Sequence, residues 1–252
     1  MSRTQSNRNP VGYSPEECAH LLATAKPLLL VGGQAVNLWA LYYRQCTGDL
    51  APFVSRDIDV LGSKETLREI AAAAGAEPQY FPMRPPTNEV GVVTARDNNG
   101  YPLPVEVLSH VHGISNDDLC KPTYTVAVGH DAVHVRIPGP IALLQAKLAN
   151  AADLSQAGRQ DLRHVRILCR LIPAYLQDLQ GSVAARRLTE RNMVNLLERL
   201  LAIVKKLETR QFLQELGIDP RSMFSGLNSA PGTKMNAFLT NRLPRELPEN
   251  GN

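Results

Sequence analysis

Apolar runs and helical repeats alternate along the first third of the chain. A capping box that begins at Ser14 predicts a helix to about residue 25. Two short apolar runs, 28–31 and 58–61, are typical of buried strands. A repeat at helical spacing follows each run, over 34–45 and over 63–75, the second with serine and glycine at its ends. The start of the chain is therefore predicted to alternate strands with helices.

The hydrophobic period changes from helical to strand-like at residue 89. Two strand-like runs, 89–96 and 103–109, flank the turn-forming residues 97–100, which predicts a hairpin. A second hairpin is expected from 123–128 and 132–137. The predicted sheet therefore contains antiparallel hairpins in addition to the first two strands.

The sequence becomes wholly helical after the stretch Pro138-Gly139-Pro140. Helices are expected at 140–152, 159–173, 184–208 and 210–216. We therefore predict an α/β (α+β) fold, with a mixed sheet and flanking helices over residues 1–138 and a C-terminal helical domain over 139–224. The segment 225–252 is rich in Pro, Gly, Asn and Ser, which predicts a loosely ordered tail.

Composition is that of an ordinary globular protein, with 252 residues of which 44% are apolar and 20% charged. The polar first ten residues lack the apolar core of a signal peptide, and no apolar run approaches the roughly 20 residues that span a bilayer. We therefore expect a cytoplasmic protein with no membrane partner. The four cysteines are scattered without zinc-site spacing, which favours free thiols over disulfides or a zinc site.

The net charge of +3 hides a difference between the two halves of the chain. Residues 1–138 contain 11 Lys and Arg against 14 Asp and Glu, whereas residues 139–252 contain 16 against 10. A basic half of this kind can attract nucleic acid or polyphosphate. Arg163, Arg166 and Arg170 form a stripe at helical spacing within it, and this stripe either holds RNA phosphates or faces solvent.

Candidate chemistry concentrates in the first two strands. Gly32 and Gly33 end the first strand and Gln34 continues into a helix, an arrangement that offers backbone N–H groups to a phosphate. Asp57 and Asp59 stand at i and i+2 on the second strand, so both carboxylates point to one face. Carboxylate oxygens are the ligands that Mg²⁺ prefers. Together these features predict a site for nucleotide phosphates and a divalent metal.

A third acid, Glu106, lies in the apolar run 104–108. Three acids in two apolar strands are costly to bury unless they are paired or bind a metal. The alternatives are that Asp57 and Asp59 lie on an exposed edge strand and that Glu106 lies on the surface of a hairpin. The glycine pair, taken alone, could serve only the shape of the strand-to-helix turn.

The order of strand, Gly-Gly, helix, Asp-x-Asp and distal acidic strand residue resembles the DNA polymerase β-type nucleotidyltransferase superfamily. Within it, the chain is most similar to the nucleotidyltransferase toxins of abortive-infection, type IV toxin-antitoxin systems. The resemblance covers most of residues 28–170. It implies Mg²⁺ dependence, with Mn²⁺ as the alternative ion, and a nucleoside triphosphate donor. By the same resemblance Asp57, Asp59 and Glu106 would hold the metal, and Glu106 would help to take the proton from the attacking hydroxyl.

A second part of the resemblance lies in the helical region. Such toxin-like chains carry a lysine in the first helix after the catalytic core and a basic-x-acid pair in the next, matched here by Lys147 and by Arg159-x-Asp161. Lys147 would then contact the triphosphate, and Asp161 would support the site or hold Lys147 in place. From the residues alone, Lys147 either extends to solvent or reaches an anion, and Asp161 could equally be a first-turn acid that the helix dipole favours.

The chain departs from the superfamily pattern at Gly33, where a serine is often found. Phosphate binding would then rest on the backbone of Gly32, Gly33 and Gln34 and on Lys147. Other sequence motifs add little to the functional prediction. His110 and His112 share a strand face without a third metal ligand, which favours a surface or hydrogen-bonding role. Neither a P-loop nor a dinucleotide-binding glycine motif is present.

The sequence therefore predicts a metal-dependent nucleotidyltransferase. It would move a nucleoside monophosphate from an NTP to a hydroxyl on RNA, such as tRNA, or on protein, with release of pyrophosphate. The resemblance implies a toxin of a toxin-antitoxin or phage-defence system, with an antitoxin protein as partner. Two alternatives stand beside this prediction: a small-molecule (antibiotic) nucleotidyltransferase, and a catalytically inert nucleotidyltransferase-like binding or regulatory protein.

Overall fold

A mixed β-sheet is the central element of the first half of the chain in the computed structural model, which describes residues 12–82, 87–96, 100–230 and 233–248. Within these residues seven strands form one sheet: β1 Leu29–Leu30, β2 Ile58–Leu61, β3 Pro78–Tyr80, β4 Glu89–Arg96, β5 Pro102–Leu108, β6 Thr123–Val128 and β7 Val133–Pro138. Their order is β3-β4-β5-β2-β1-β7-β6. The pairs β2/β5 and β1/β7 are parallel, and the other pairs are antiparallel.

The α-helices of the described residues range from single turns of four residues to the 24 residues of α7. They are α1 Pro15–Cys18, α2 Gly32–Tyr42, α3 Arg44–Thr47, α4 Lys64–Ala74, α5 Asn116–Leu119, α6 Pro140–Asp153, α7 Asp161–Ala184, α8 Glu190–Val204, α9 Leu207–Glu215, α10 Lys234–Ala237 and α11 Leu243–Glu246. The predicted mixed sheet with flanking helices and a helical C-terminal half is confirmed. No helix in the described ranges is both long enough and apolar enough to cross a bilayer.

The chain divides into two compact units. One comprises residues 1–41 and 50–139, and the other comprises residues 42–49 and 140–252. The division after Gly139 lies next to the predicted boundary, but the sequence did not predict that residues 42–49 join the helical unit. Tyr43 Oη donates a hydrogen bond of 2.8 Å to Asp178 Oδ2, and Arg170 lies 3.3 Å from Asp49 Oδ2. These polar contacts fix α3 to α7 within the second unit.

The apolar core of the first unit follows the alternation of β2 and β5. Ile58 and Val60 are fully buried, as are the residues paired with them in the parallel register, Val105 and Val107. Helix α4 packs on this part of the sheet, with Leu67, Ile70 and Ala71 buried. Burial of each large apolar side chain contributes about 1.5–3 kcal/mol to stability. Because these side chains must face the core, the residues that alternate with them along β2 and β5 point to the opposite face of the sheet.

Several predicted boundaries differ from the structure. The first helix was predicted to reach residue 25, but α1 ends at Cys18 and a 3₁₀-helix, Ala19–Leu22, follows. The helix predicted to end at residue 173 is α7, which continues to Ala184 with Pro173 inside it. Burial of side chains on both sides of Pro173 offsets the backbone hydrogen bond that proline removes. Strand β3 and helix α5 were not predicted.

The predicted loosely ordered tail is also corrected, because residues 234–246 form helical turns. Met235, Phe238 and Leu243 are buried, and the ring of Phe238 lies 6.1 Å from that of Phe224. Helix α10 packs on α8, so this segment belongs to the helical unit. The predicted turn at 97–100 falls mostly on residues 97–99, which lie outside the described residues, as do the first eleven and last four residues of the chain.

Candidate metal centre

Asp57, Asp59 and Glu106 come together on one face of the sheet. Asp59 in β2 stands directly opposite Glu106 in β5 across a parallel strand pair, and Asp57 immediately precedes β2. One carboxylate oxygen from each residue lies within 4.8 Å of the others. Within the described ranges, this is the one group of three or more His, Cys, Asp or Glu side chains that could hold a metal ion.

The acids lie neither on an edge strand nor on the surface of an isolated hairpin, which were the two alternative positions. Strand β2 lies between β5 and β1, and β5 lies between β4 and β2, so both strands are internal to the sheet. Asp57, Asp59 and Glu106 are all half-buried. An internal position removes part of the water that would otherwise stabilise three negative charges.

The backbone of Gly32 lies directly against the Asp59 carboxylate. Gly32 has a φ of +62°, and a Cβ atom built on it would lie 1.7 Å from Asp59 Oδ2. The preceding residue, Val31, donates its backbone N–H to Asp59 O at 2.8 Å. Only glycine allows both the left-handed conformation and this close approach. The strand-to-helix turn and the acidic strand are therefore built against each other.

Like charges crowd the acidic cluster. Burial raises the pKa of Glu106, and the negative charges of Asp57 and Glu89 raise it further. Ser55 Oγ donates a hydrogen bond of 3.1 Å to Asp57 Oδ1, which helps to orient that carboxylate. A bound divalent cation would offset the mutual repulsion of the acids. The donor set, three carboxylates, fits a hard cation such as Mg²⁺ or Mn²⁺.

The start of α2 offers backbone groups rather than side chains. Gln34 is 1% exposed, and its Nε2 donates to Tyr13 O at 2.9 Å. Its Oε1 accepts a bond of 3.4 Å from Asn37 Nδ2. The Gln34 side chain therefore belongs to the core, and the predicted phosphate contact at Gln34 is limited to its backbone N–H. Gly33 is buried in the same first turn, where helix N–H groups lack acceptors within the helix.

Lys147 and Asp161 pair with each other inside the helical unit. Lys147 Nζ lies 2.8 Å from Asp161 Oδ1, and Arg159 Nε lies 2.6 Å from Asp161 Oδ2. The side chains of Lys147 and Asp161 are 9% and 2% exposed, so Lys147 does not extend to solvent. Burial by itself raises the pKa of Asp161, but Lys147 and Arg159 outweigh it and hold that pKa below its usual value. The predicted role of Asp161 in holding Lys147 has a direct geometric basis, whereas contact of Lys147 with a triphosphate remains a prediction.

His164 lies one turn after Asp161 on α7 and is nearly inaccessible. Neither ring nitrogen has a hydrogen-bond partner in the described part of the chain. Burial lowers the pKa of His164 to about 3, with Lys147 and Arg163 lowering it further against the opposing charge of Asp161. The folded protein therefore holds this imidazole neutral.

Because His164 is neutral in the folded state, we expect stability to fall as the pH drops. The unfolded chain takes up a proton below pH about 6.5, whereas the folded chain resists it down to about 3, so the stabilisation is present above 6.5 and is lost below it. Between pH 7 and pH 5 the free energy of unfolding should therefore fall by about 2 kcal/mol. Urea unfolding at both pH values measures it. His164→Phe should flatten the profile, and His130→Gln, at a fully exposed turn position, should not. An unchanged pH profile in His164→Phe would contradict the assignment.

The remaining candidate residues lie outside the acidic cluster. Arg166 and Arg170 are exposed, and Arg163 is half-buried with Nη1 donating to Gln160 Oε1 at 3.1 Å. Contact of this stripe with RNA remains a prediction. His110 is exposed beside Ser109 Oγ and belongs to no group of metal-ligand type within the described residues. All four cysteines are free, as predicted.

Two residues of the site were not found from the sequence. Ser55 orients Asp57, and Glu89 adds negative charge at Glu106. The spacing of Ser55 two residues before Asp57 was available as a signal. Glu89 carried no signal, because its proximity to Glu106 depends on the pairing of β4 with β5.

Replacement of Gly32 by alanine tests the contact between the turn and the acidic strand. Gly32→Ala should lose about 1–2 kcal/mol from the left-handed conformation, and its Cβ should also displace the Asp59 carboxylate and weaken metal binding. Gly75→Ala is the matched control, since Gly75 has a φ of +60° and nothing within 4 Å of the added Cβ. Urea unfolding and Mn²⁺ titration separate the two effects. Equal loss of Mn²⁺ affinity in both variants would refute the role of Gly32.

Comparisons of the chain with protein-family models, with curated proteins and with solved structures give no match.

Proposed function

We propose that this protein is a metal-dependent nucleotidyltransferase that moves a nucleoside monophosphate from an NTP to a hydroxyl acceptor on RNA or protein. One observation supports the proposal most: three carboxylates on or next to two internal strands converge within 4.8 Å, directly beside a glycine turn that opens a helix. Acids at a metal site and backbone donors for phosphate are the two parts that transfer of this kind requires.

Asp57, Asp59 and Glu106 would hold the metal. Bound Mg²⁺ would stabilise negative charge on the triphosphate and on the attacking and leaving oxygens. The protein's own contribution begins with fixing the ligands. Ser55 orients Asp57, and the parallel register places Asp59 opposite Glu106. Ligands that are fixed in this way need little rearrangement on binding.

The turn at Gly32 and Gly33 would bind phosphate oxygens through backbone N–H groups. These groups belong to the N-terminal turn of α2, where the helix dipole also favours an anion. Because Gly32 contacts Asp59 directly, the turn would place a bound phosphate next to the acids. We include Lys147, which is held by Asp161, as a further phosphate contact, on the resemblance to nucleotidyltransferase toxins alone.

The proposal predicts NTP-dependent labelling that requires a divalent ion. The protein should be incubated separately with each α-labelled NTP, Mg²⁺ and total cellular RNA, with an aminoglycoside and with no added acceptor. We expect transfer to RNA or to protein from one or a subset of NTPs, and loss of transfer in EDTA. Transfer to the aminoglycoside alone would instead favour a small-molecule transferase.

A binding experiment separates the enzyme from an inert module. An NTP with Mg²⁺ at 100 times its Kd should raise the free energy of unfolding by about 2.7 kcal/mol. Thermal unfolding with each NTP, with and without Mg²⁺, measures this effect. Absence of stabilisation and of label transfer for all four NTPs would rule out the proposed activity.

A further inference from the structure

An open pocket lies in the helical unit, next to α9. It has a volume of about 420 Å³, within the range of pockets that bind small organic ligands. Its wall comes from α9, from the turn at Gly217–Asp219 that follows, and from Leu247 and Pro248 near the end of the chain. None of these residues belongs to the acidic cluster of the first unit.

The pocket combines apolar surface with two guanidinium groups. Leu207, Ile218 and Leu247 supply apolar surface, and Arg210 and Arg221 supply positive charge. Leu207 is 57% exposed, so its apolar surface is accessible to a ligand in the pocket. An apolar wall with a few placed charged groups is typical of a binding site for an amphiphilic small molecule.

Arg210 carries the argument for an anion. It lies on α9, three residues from Leu207, so both side chains project from the same helix face into the pocket. Its Nε is buried and has no hydrogen-bond partner in the described part of the chain. Because that atom is inaccessible, an oxyanion in the pocket would contact the terminal nitrogens of the half-buried guanidinium, whose planar N–H groups can form two parallel hydrogen bonds.

The charge balance of the wall also favours an anion. The two arginines face one carboxylate, that of Asp219. Asp219 Oδ1 already accepts a hydrogen bond of 3.0 Å from the backbone N–H of Arg221. This bond caps the turn without changing the charge of Asp219, so the lining holds one more positive than negative formal charge. A lining with this formal charge attracts an anion and repels a cation.

We propose that this pocket binds a small organic anion, whose carboxylate or phosphate head lies on the Arg210 guanidinium and whose apolar body lies on Leu207, Ile218 and Leu247. This inference goes beyond the proposed transferase activity and does not depend on it.

Binding of matched charged and neutral probes to the full-length protein tests the proposal. Adenosine monophosphate and adenosine form one pair, and hexanoate and hexanol form the other. Titrations are followed by calorimetry and by saturation-transfer NMR in excess EDTA, so that metal-dependent binding at the acidic cluster does not contribute. We expect at least one of the two anions to bind saturably, and its neutral counterpart to bind at least about tenfold more weakly, as loss of a charged hydrogen bond predicts. Binding of the phosphate or of the carboxylate alone identifies the head group.

Two variants and a control locate the site. Arg210→Gln should weaken anion binding by about tenfold or more, and Leu207→Glu, at an exposed position, should weaken it through charge repulsion. Arg187→Gln changes an exposed arginine of the same unit outside the pocket and should leave affinity unchanged. If circular dichroism shows that Arg210→Gln is unfolded, Leu207→Glu alone tests whether the anion binds in this pocket. No binding of either anion to the wild type, or equal affinity in a folded pocket variant, overturns the proposal.

Discussion

Replacement of Asp57 and Asp59 by asparagine is expected to reduce NTP-dependent label transfer by a factor on the order of 1,000, because loss of two of the proposed metal ligands would remove several kcal/mol of transition-state stabilisation. Asparagine keeps the size of aspartate and removes its charge. The half-buried acids repel one another, so removal of two charges should leave the fold intact or slightly more stable. The measurements are label transfer with the best NTP, Mn²⁺ titration and the thermal unfolding midpoint.

Asp131→Asn is the matched control for the acidic cluster. Asp131 has a side chain that is 90% exposed, and it lies in the turn between β6 and β7 of the same unit. It should retain full transfer and full Mn²⁺ affinity. If the Asp57 and Asp59 double variant is folded and transfers label as the wild type does, the acids are not the catalytic metal site.

The second large effect is expected at the buried ion pair of Lys147 and Asp161. Asp161→Asn should cost about 3 kcal/mol or more, because it leaves the Lys147 ammonium buried without its countercharge. Lys147→Met should cost less, since Arg159 still lies 2.6 Å from Asp161. The double variant should lose less than the two single losses added together, with a coupling energy of about 1–3 kcal/mol. Urea unfolding of the wild type, the two single variants and the double variant at pH 7 completes this double-mutant cycle.

An exposed ion pair provides the comparison for this cycle. Lys121 and Asp117 lie 3.6 Å apart with side chains that are 75% and 89% exposed. The same cycle on this pair should give a coupling of about 0–1 kcal/mol, because solvent screens exposed charges. Equal couplings at the two pairs would mean that burial of Lys147 and Asp161 does not strengthen their interaction.

Label transfer by the same variants addresses the role of Lys147 separately from stability. If Lys147 contacts the triphosphate, Lys147→Met should raise the KM for the NTP even at temperatures where the variant is fully folded. The variant Asp161→Asn should do so as well, because Asp161 holds the ammonium in place. A Lys147→Met variant that is folded and has an unchanged KM would limit this pair to a structural role.

Local periodicity predicted most of the elements because their apolar faces are wide. Helix α4 has serine as its N-cap and Gly75 in the left-handed conformation at its end, as the sequence indicated. Strands β4 to β7 follow the two predicted hairpins. Boundaries were wrong where packing outweighed local signals. The helix predicted to end at residue 173 continues to Ala184 as α7, because residues on both sides of Pro173 are buried. The composition of residues 225–252 predicted a loosely ordered tail, but apolar residues in this segment are buried.

The sequence by itself determined which residues carry the candidate chemistry. Alternation along β2 places Asp57 and Asp59 on the face opposite to Ile58 and Val60, and this follows from strand geometry alone. The type of residue, acids within apolar runs, identified Glu106 as well. The sequence also placed the glycine turn at the start of a helix.

Only the tertiary structure decided which of these residues meet. The parallel register of β2 and β5 sets Asp59 opposite Glu106, and the close approach of Gly32 to Asp59 depends on how β1 pairs with β2. The burial of Asp161 with Lys147 likewise depends on the packing of α6 against α7. Local patterns fix the direction of a side chain within its own element. Strand order, register and helix packing arise from contacts between residues far apart in the chain, so no local pattern contains them.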